Sequence, residues 1–238
     1  VKQPGVFLTA DWRNLLMFNY VVDPGLLQPF VPRGTEIDAF EGRIYVSLVG
    51  FEFNDTRVAG FTIPFHRSFE EVNLRFYVRR AGRRGVVFIR ELVPKLAVAA
   101  IARIAFGENY SRAPMSHSIR AQPETGAVEA EYCWGTGSRR CSMRLEAEKS
   151  SFVPPDNSMG QFITEHYWGY AAQSDGGSLE YEVQHPRWSV REAKPAKFSG
   201  DAAHYYGAEF GKLLMRAPDS AFLAEGSPVT VFKGVRIQ

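Results

Sequence analysis

The chain reads as a mainly β protein, a β-rich α+β fold, and three observations predict it. Nine segments are rich in β-branched and aromatic residues, several with strict alternation, and are bounded by Gly, Pro, Asp or Asn. Helix signals are confined to four short stretches. Residues 77–87 contain Arg-Arg-Ala-Gly-Arg-Arg-Gly, which reads as the tip of a hairpin joining two of the strands.

In chain order, the first strand, 15–22, runs into Asp23, which suits an N-cap with Pro24 at the first helical position. That short helix covers 24–30 and is ended by Val31-Pro32. Strands follow at 44–53, 72–78 and 86–92, the last two flanking the arginine-rich tip. Pro94 starts a second helix through Leu96, Ala99, Ile101 and Ile104, and Gly107 stops it. Strands at 128–134 and 141–147 come next. Ser158-Met-Gly-Gln matches a capping box and opens a third helix carrying Phe162, Glu165, His166 and Trp168. Strands at 179–183 and 188–193, a helix over 201–214 and a strand at 229–237 complete the chain. There is no internal repeat or linker, and Pro154-Pro155-Asp156-Asn157 is the nearest thing to a boundary, so residues 1–238 are read as one domain.

Composition narrows the function classes. With 45% hydrophobic and 23% charged residues the chain can build a sizeable core, and a net charge of +2 calls for neither nucleic acid nor an anionic membrane. The four arginines of the hairpin tip could grip phosphate, but without aromatic interleaving they read as a solvated loop. No apolar run reaches membrane-spanning length and the first residues lack the layout of a signal peptide, so the cytoplasm is expected. Cys133 and Cys141 read as two free thiols, with a hairpin disulfide as the alternative. There is no GxSxG elbow, HExxH pair, P-loop or three-glycine dinucleotide loop. No cofactor is expected.

The most informative segment is Glu71-Val-Asn-Leu-Arg-Phe-Tyr-Val78. Period two puts Glu71, Asn73, Arg75 and Tyr77 on one face of a strand, about 7 Å apart, and Val72, Leu74, Phe76 and Val78 on the other. Carboxylate and guanidinium are rarely buried unless paired, so such a row either faces water or lines a polar cavity. His66, just before this strand, and His166 and His185 are candidate general bases; His117 and His204 carry no signal. His66 with Glu70 or Glu71 makes a poor metal chelate, because adjacent acids lie on opposite faces of a strand. No metal site is expected.

Ala10-Asp-Trp-Arg-Asn-Leu-Leu16, Val22-Asp-Pro24 through Val31-Pro32, Tyr45-Val-Ser-Leu-Val-Gly-Phe51, Phe69-Glu-Glu-Val-Asn-Leu-Arg75, Glu108-Asn-Tyr110 and Thr164-Glu-His-Tyr-Trp168 resemble the uncharacterised YqjF-like family over nearly the whole chain. That family is in turn distantly similar to acetoacetate decarboxylase. The resemblance implies an antiparallel, partly closed barrel or cone with a few peripheral helices and an internal cavity. It places Arg13 on the decarboxylase's N-terminal arginine and Glu71 on the acid of its central strand, while Ser47 falls where the decarboxylase has a second acid. Asn109 and Tyr110 fall on its paired lysines, the first of which forms the Schiff base. Neither can form an imine, so nucleophile and activator are both missing. In another register Lys95 of Pro94-Lys-Leu-Ala97 would be the nucleophile, but it starts a helix whereas the family lysines follow one.

These readings converge on a pocket for a small carboxylate- or carbonyl-containing molecule. Arg13 or Arg75 would hold an oxyanion, Glu71 would act as acid or base, and Asn109 and Tyr110 would donate to a carbonyl or enolate oxygen, with Asn73 and His66 on the wall. The chemistry would be proton transfer or a lyase step without an imine. A noncatalytic binder or sensor, or a structural protein with a vestigial pocket, are the alternatives. The expected partner is a small molecule, with no nucleic acid and no membrane, and the relatives' assembly suggests a homo-oligomer.

Overall fold

A computed structural model describes residues 4–64, 67–95, 107 and 109–237. Its strands are β1 (Val6–Val21), β2 (Glu36–Ile37), β3 (Tyr45–Val58), β4 (Phe61–Thr62), β5 (Phe69–Arg80), β6 (Arg83–Val93), β7 (Tyr110–Arg112), β8 (Met115–Ala121), β9 (Val128–Trp134), β10 (Cys141–Ala147), β11 (Trp168–Ala172), β12 (Ser178–Gln184), β13 (Val190–Gly200), β14 (Ser220–Phe232) and β15 (Val235–Ile237). The helices are short: α1 (Pro24–Leu27), α2 (Met159–Thr164), α3 (Ala202–Tyr206) and α4 (Ala208–Leu214). The helix expected from Pro94 onward lies largely outside the described residues, as does His66.

The strands run β12-β11-β6-β5-β3-β1-β14, and β12 also pairs with β14, so this part of the sheet closes into a ring. From β14 the sheet continues through β13, β10, β9 and β8 as a separate layer over the ring's outer face. Pairing is antiparallel except where β11 and β7 run parallel to β6. The partly closed, β-rich architecture expected from the sequence is therefore the one observed, with a mixed sheet.

Alternation sorts the ring's side chains into two sets. Leu16, Phe18 and Tyr20 of β1, Val46 and Leu48 of β3, and Val72, Leu74, Phe76 and Val78 of β5 point outward and pack on Tyr132, Trp134, Met143 and Leu145 of the covering layer. Leu15, Met17, Tyr45, Val49, Phe51, Phe53, Phe69 and Tyr77 point into the ring. β1 changes phase near Asn14, whose φ is 53°, where its register against β3 slips between Arg13 and Leu16. That break explains why the strand begins nine residues earlier than expected: its two halves alternate out of phase.

The hairpin tip is a two-residue turn with φ of 48° at Ala81 and 78° at Gly82, flanked by the Arg80–Arg83 pair. Its arginines are not a free basic loop. Arg79 pairs with Glu36, Arg80 and Arg83 with Glu180, and Arg84 with Asp38, so they tie the tip to neighbouring strands.

Some boundaries differ from expectation. The third helix stops at Thr164, because the chain from Trp168 is drawn into strand pairing with β6 and β12. Gly207, with a φ of 84°, splits the expected 201–214 helix into α3 and α4. Cys133 and Cys141 are buried free thiols. On the β9–β10 ladder Cys141 faces Trp134 and Cys133 faces Ser142, a one-residue offset that puts the two thiols on opposite faces. No helix among the described residues is long and apolar enough to cross a membrane.

Candidate functional site

The ring encloses a cavity, of which about 110 Å³ is open to the centres of water molecules, enough for several waters or a small organic molecule. Period two on β5 sends Glu71, Asn73 and Arg75 into it; these residues are 2%, 1% and 8% exposed. β6 adds Glu91, which pairs with Asn73 across the β5–β6 ladder, and β7 adds Tyr110 opposite Glu91. Thr164 and His166 enter at and just beyond the end of α2, and His185 from the segment after β12.

Local hydrogen bonds orient the polar groups. Asn73 Nδ2 donates to Glu71 Oε1 at 3.0 Å, and the Tyr110 hydroxyl lies 3.4 Å from Glu71 Oε2 as donor. Arg75 Nη2 donates to the Ile163 carbonyl at 3.4 Å, and the guanidinium lies 5.9 Å from the Tyr77 ring centroid. Arg75 Nε and Asn73 Oδ1 are buried and have no hydrogen-bond partner among the described residues. Buried polar atoms in native proteins are nearly always satisfied, so orphans bordering a cavity mark where a ligand or ordered water would bind.

Tyr77 extends the polar row but is committed elsewhere. Its hydroxyl lies 2.6 Å from Ser47 Oγ, which donates to Asn19 Oδ1 at 2.6 Å, and Asn19 Nδ2 donates to Ser220 Oγ at 3.1 Å. Ser47, which the resemblance had set against a second acid, thus belongs to a hydrogen-bonded network. A second cavity carboxylate comes instead from Glu91. The sequence signal for it was an acid interrupting the apolar run of β6.

Two expected site residues lie elsewhere. Arg13 alternates with the inward-facing Trp12, is on the outer face, and bonds Asp11 at 2.8 Å. Asn109 precedes inward-facing Tyr110, is exposed, and bonds Arg90 at 2.8 Å and the Ile89 carbonyl at 3.3 Å. Of the expected constellation, Glu71, Asn73, Arg75 and Tyr110 meet in the cavity, joined by His166 and His185.

His166 stacks on Tyr77 with ring centroids 4.5 Å apart, and both of its ring nitrogens are buried. Burial, and then the Arg84 and Arg75 guanidinium charges, hold its imidazole well below the ordinary range. Burial also lowers His185. His166 is thus neutral in the folded protein, whereas the unfolded imidazole takes up a proton below about pH 6.5. The unfolded state then binds more protons, so this contribution to stability is complete above pH 6.5 and is lost as pH falls, by about 1.4 kcal/mol per pH unit for one histidine. Urea unfolding at pH 7.5 and 5.5 should show this loss, with a smaller slope in His166→Phe. An unchanged slope in that variant would assign the effect to other groups.

Residues 9–228 match DUF2071, a family described as an uncharacterized conserved protein. The chain belongs to the DUF2071 family. It is 29% identical over 200 residues to the uncharacterized protein YqjF of Bacillus subtilis (strain 168), covering 79% of this chain and 76% of that one. Acetoacetate decarboxylase from Legionella pneumophila superposes with a TM-score of 0.71 at 14% identity, covering 100% of this DUF2071 chain and 90% of the other. The enduracididine biosynthesis enzyme MppR, in complex with pyruvate, gives 0.71 at 14% identity, covering 100% and 92%. An acetoacetate decarboxylase-like enzyme from Sphingomonas wittichii RW1 gives 0.70 at 11% identity, covering 100% and 94%. Both resemblances expected from the sequence therefore hold, the decarboxylase one at the level of fold.

Proposed function

We propose that this DUF2071 chain binds a small oxo acid noncovalently and moves a proton at the carbon next to its carbonyl. The observation that carries this reading is the Arg75 guanidinium, buried at the cavity wall with Nε unpartnered among the described residues and forming no ion pair with a described carboxylate. A planar guanidinium so held matches a carboxylate by bidentate hydrogen bonds. Glu71 would take the proton from the substrate carbon, and the Tyr110 hydroxyl would turn from Glu71 to donate to the enolate oxygen that forms. Two free thiols suit the cytoplasm, where such a reaction would be placed.

Proton exchange tests the reading. Pyruvate in D₂O with the protein should exchange its methyl protons faster than buffer alone, and Glu71→Gln should lose at least about 100-fold of that rate, the lower range of a general base's contribution. Binding without exchange in the unmodified protein would assign the cavity to sensing. Absence of both would sink the proposal.

The mechanism should involve no imine. No lysine lines the cavity among the described residues. Borohydride reduction in the presence of acetoacetate should leave the protein mass unchanged. A stoichiometric adduct on Lys95 would restore a Schiff-base mechanism and overturn this reading.

A further inference from the structure

The cavity has two ends of different chemistry. Along β5 the inward residues run Phe69, Glu71, Asn73, Arg75, and the ladders set Phe53 beside Phe69 and Trp12 beside Phe53, with Ser47 beside Arg75 at the opposite end. At the Phe69 end the walls are aromatic. Phe53 stacks on Phe69 at 4.7 Å, Trp12 meets Phe51 and Phe53 edge-on at 5.2 and 5.5 Å, and Trp188 lies 6.2 Å from Trp12. These rings border open space as well as one another. Two polar atoms at this end are buried without a partner among the described residues: Thr56 Oγ1, in a residue 5% exposed, and Trp12 Nε1. An indole N–H is donor only, and a hydroxyl can donate, so both are served by an acceptor arriving with a ligand.

The six-residue step from Phe69 to Arg75 covers about 20 Å of strand. A three- or four-carbon oxo acid held at Arg75 cannot also fill the aromatic end. Resting on the reading of a carboxylate at Arg75, we propose that the occupant is an elongated oxo acid whose far end is an aromatic ring bearing a hydrogen-bond acceptor. The ring would pack among Trp12, Phe53, Phe69 and Trp188, and its acceptor would take hydrogen bonds from Trp12 Nε1 and Thr56 Oγ1.

Trp12 and Trp188 make tryptophan fluorescence a direct reporter, read alongside thermal stabilisation. The probes are pyruvate, acetoacetate, and 2-oxo acids ending in phenyl or 4-hydroxyphenyl after one to four methylenes. At least one phenyl-terminated acid should bind 10-fold or more tighter than pyruvate, and its hydroxyphenyl counterpart tighter still. Thr56→Val, which is near-isosteric, should reduce the hydroxyl's extra gain and keep the phenyl gain, and Trp12→Phe, which removes the indole N–H together with part of the ring wall, should reduce both. Arg75→Met should weaken every probe. Pyruvate or acetoacetate binding as tightly as any aryl acid would overturn this inference and leave the reading of Arg75 standing. A hydroxyl gain, measured against the phenyl counterpart in the same variant, that survives both Thr56→Val and Trp12→Phe would overturn the acceptor contact. Aryl acids binding Arg75→Met undiminished, or no probe binding at all, would instead overturn the carboxylate reading and this inference with it.

Discussion

Replacing Arg75 with methionine is expected to abolish oxo-acid binding, a loss of 100-fold or more, while leaving the fold as stable as before or more stable by about 1 kcal/mol. Arg75 is 8% exposed, and its fixed contacts among the described residues are one long hydrogen bond to a carbonyl and a distant ring. Burying a guanidinium on those terms costs the fold more than it returns, and a well-packed apolar side chain of similar length removes the cost. If Arg75 instead held a closed structural ion-pair network, stranding its partner would cost roughly 3 to 5 kcal/mol. Urea denaturation of Arg75→Met, Glu71→Gln and the double variant separates the two. Large single losses that are recovered in the double variant would refute the binding role. Small losses, with a ligand-induced rise in melting temperature seen only in the unmodified protein, would support it.

The polar row shows how far a sequence can be read. Alternation over residues 71–78 assigns each side chain to a face, and the structure keeps every one of those assignments, because β5 is central in the ring and paired on both sides. What alternation could not give was phase across a break. Arg13 is one residue from inward-facing Trp12, and the slip at Asn14 is invisible in composition, so a family match that pointed to Arg13 carried no information about its direction. Asn109 failed for the same reason in miniature: Tyr110 faces the cavity, so its neighbour cannot. Glu91 was passed over because a single acid in an apolar run is an ambiguous signal that reads equally as surface; its ladder position opposite Asn73 resolves it. β8 was missed entirely, since an edge strand with little buried area needs no apolar face. The boundary of the third helix was overridden by pairing of β11 with its hairpin partner β12 and with β6, which is distant in sequence.

The largest loss of stability is expected from Gly226→Ala, about 3 to 5 kcal/mol, although the change adds one methyl group far in sequence from the polar row. Gly226 has a φ of 80°, where an L-residue costs about 1 to 2 kcal/mol. The new Cβ would also lie 2.0 Å from the Trp12 carbonyl oxygen and 2.9 Å from Leu15 Cδ1. The first of these is backbone and cannot swing away, so the β1–β14 ladder must part at the Arg13–Gly226 pair. Gly176 provides the control. It has the same φ of 80° but nothing within 4 Å of an added Cβ, so Gly176→Ala should lose only the conformational part. Chemical denaturation of both variants measures the difference. Equal losses would mean that β1 yields at little cost, and the close approach would then not be what holds the strand. Because Trp12 and Leu15 both line the cavity, a displaced β1 should also move the aromatic end of the site. The emission of Trp12 is therefore expected to shift in Gly226→Ala and to stay unchanged in Gly176→Ala.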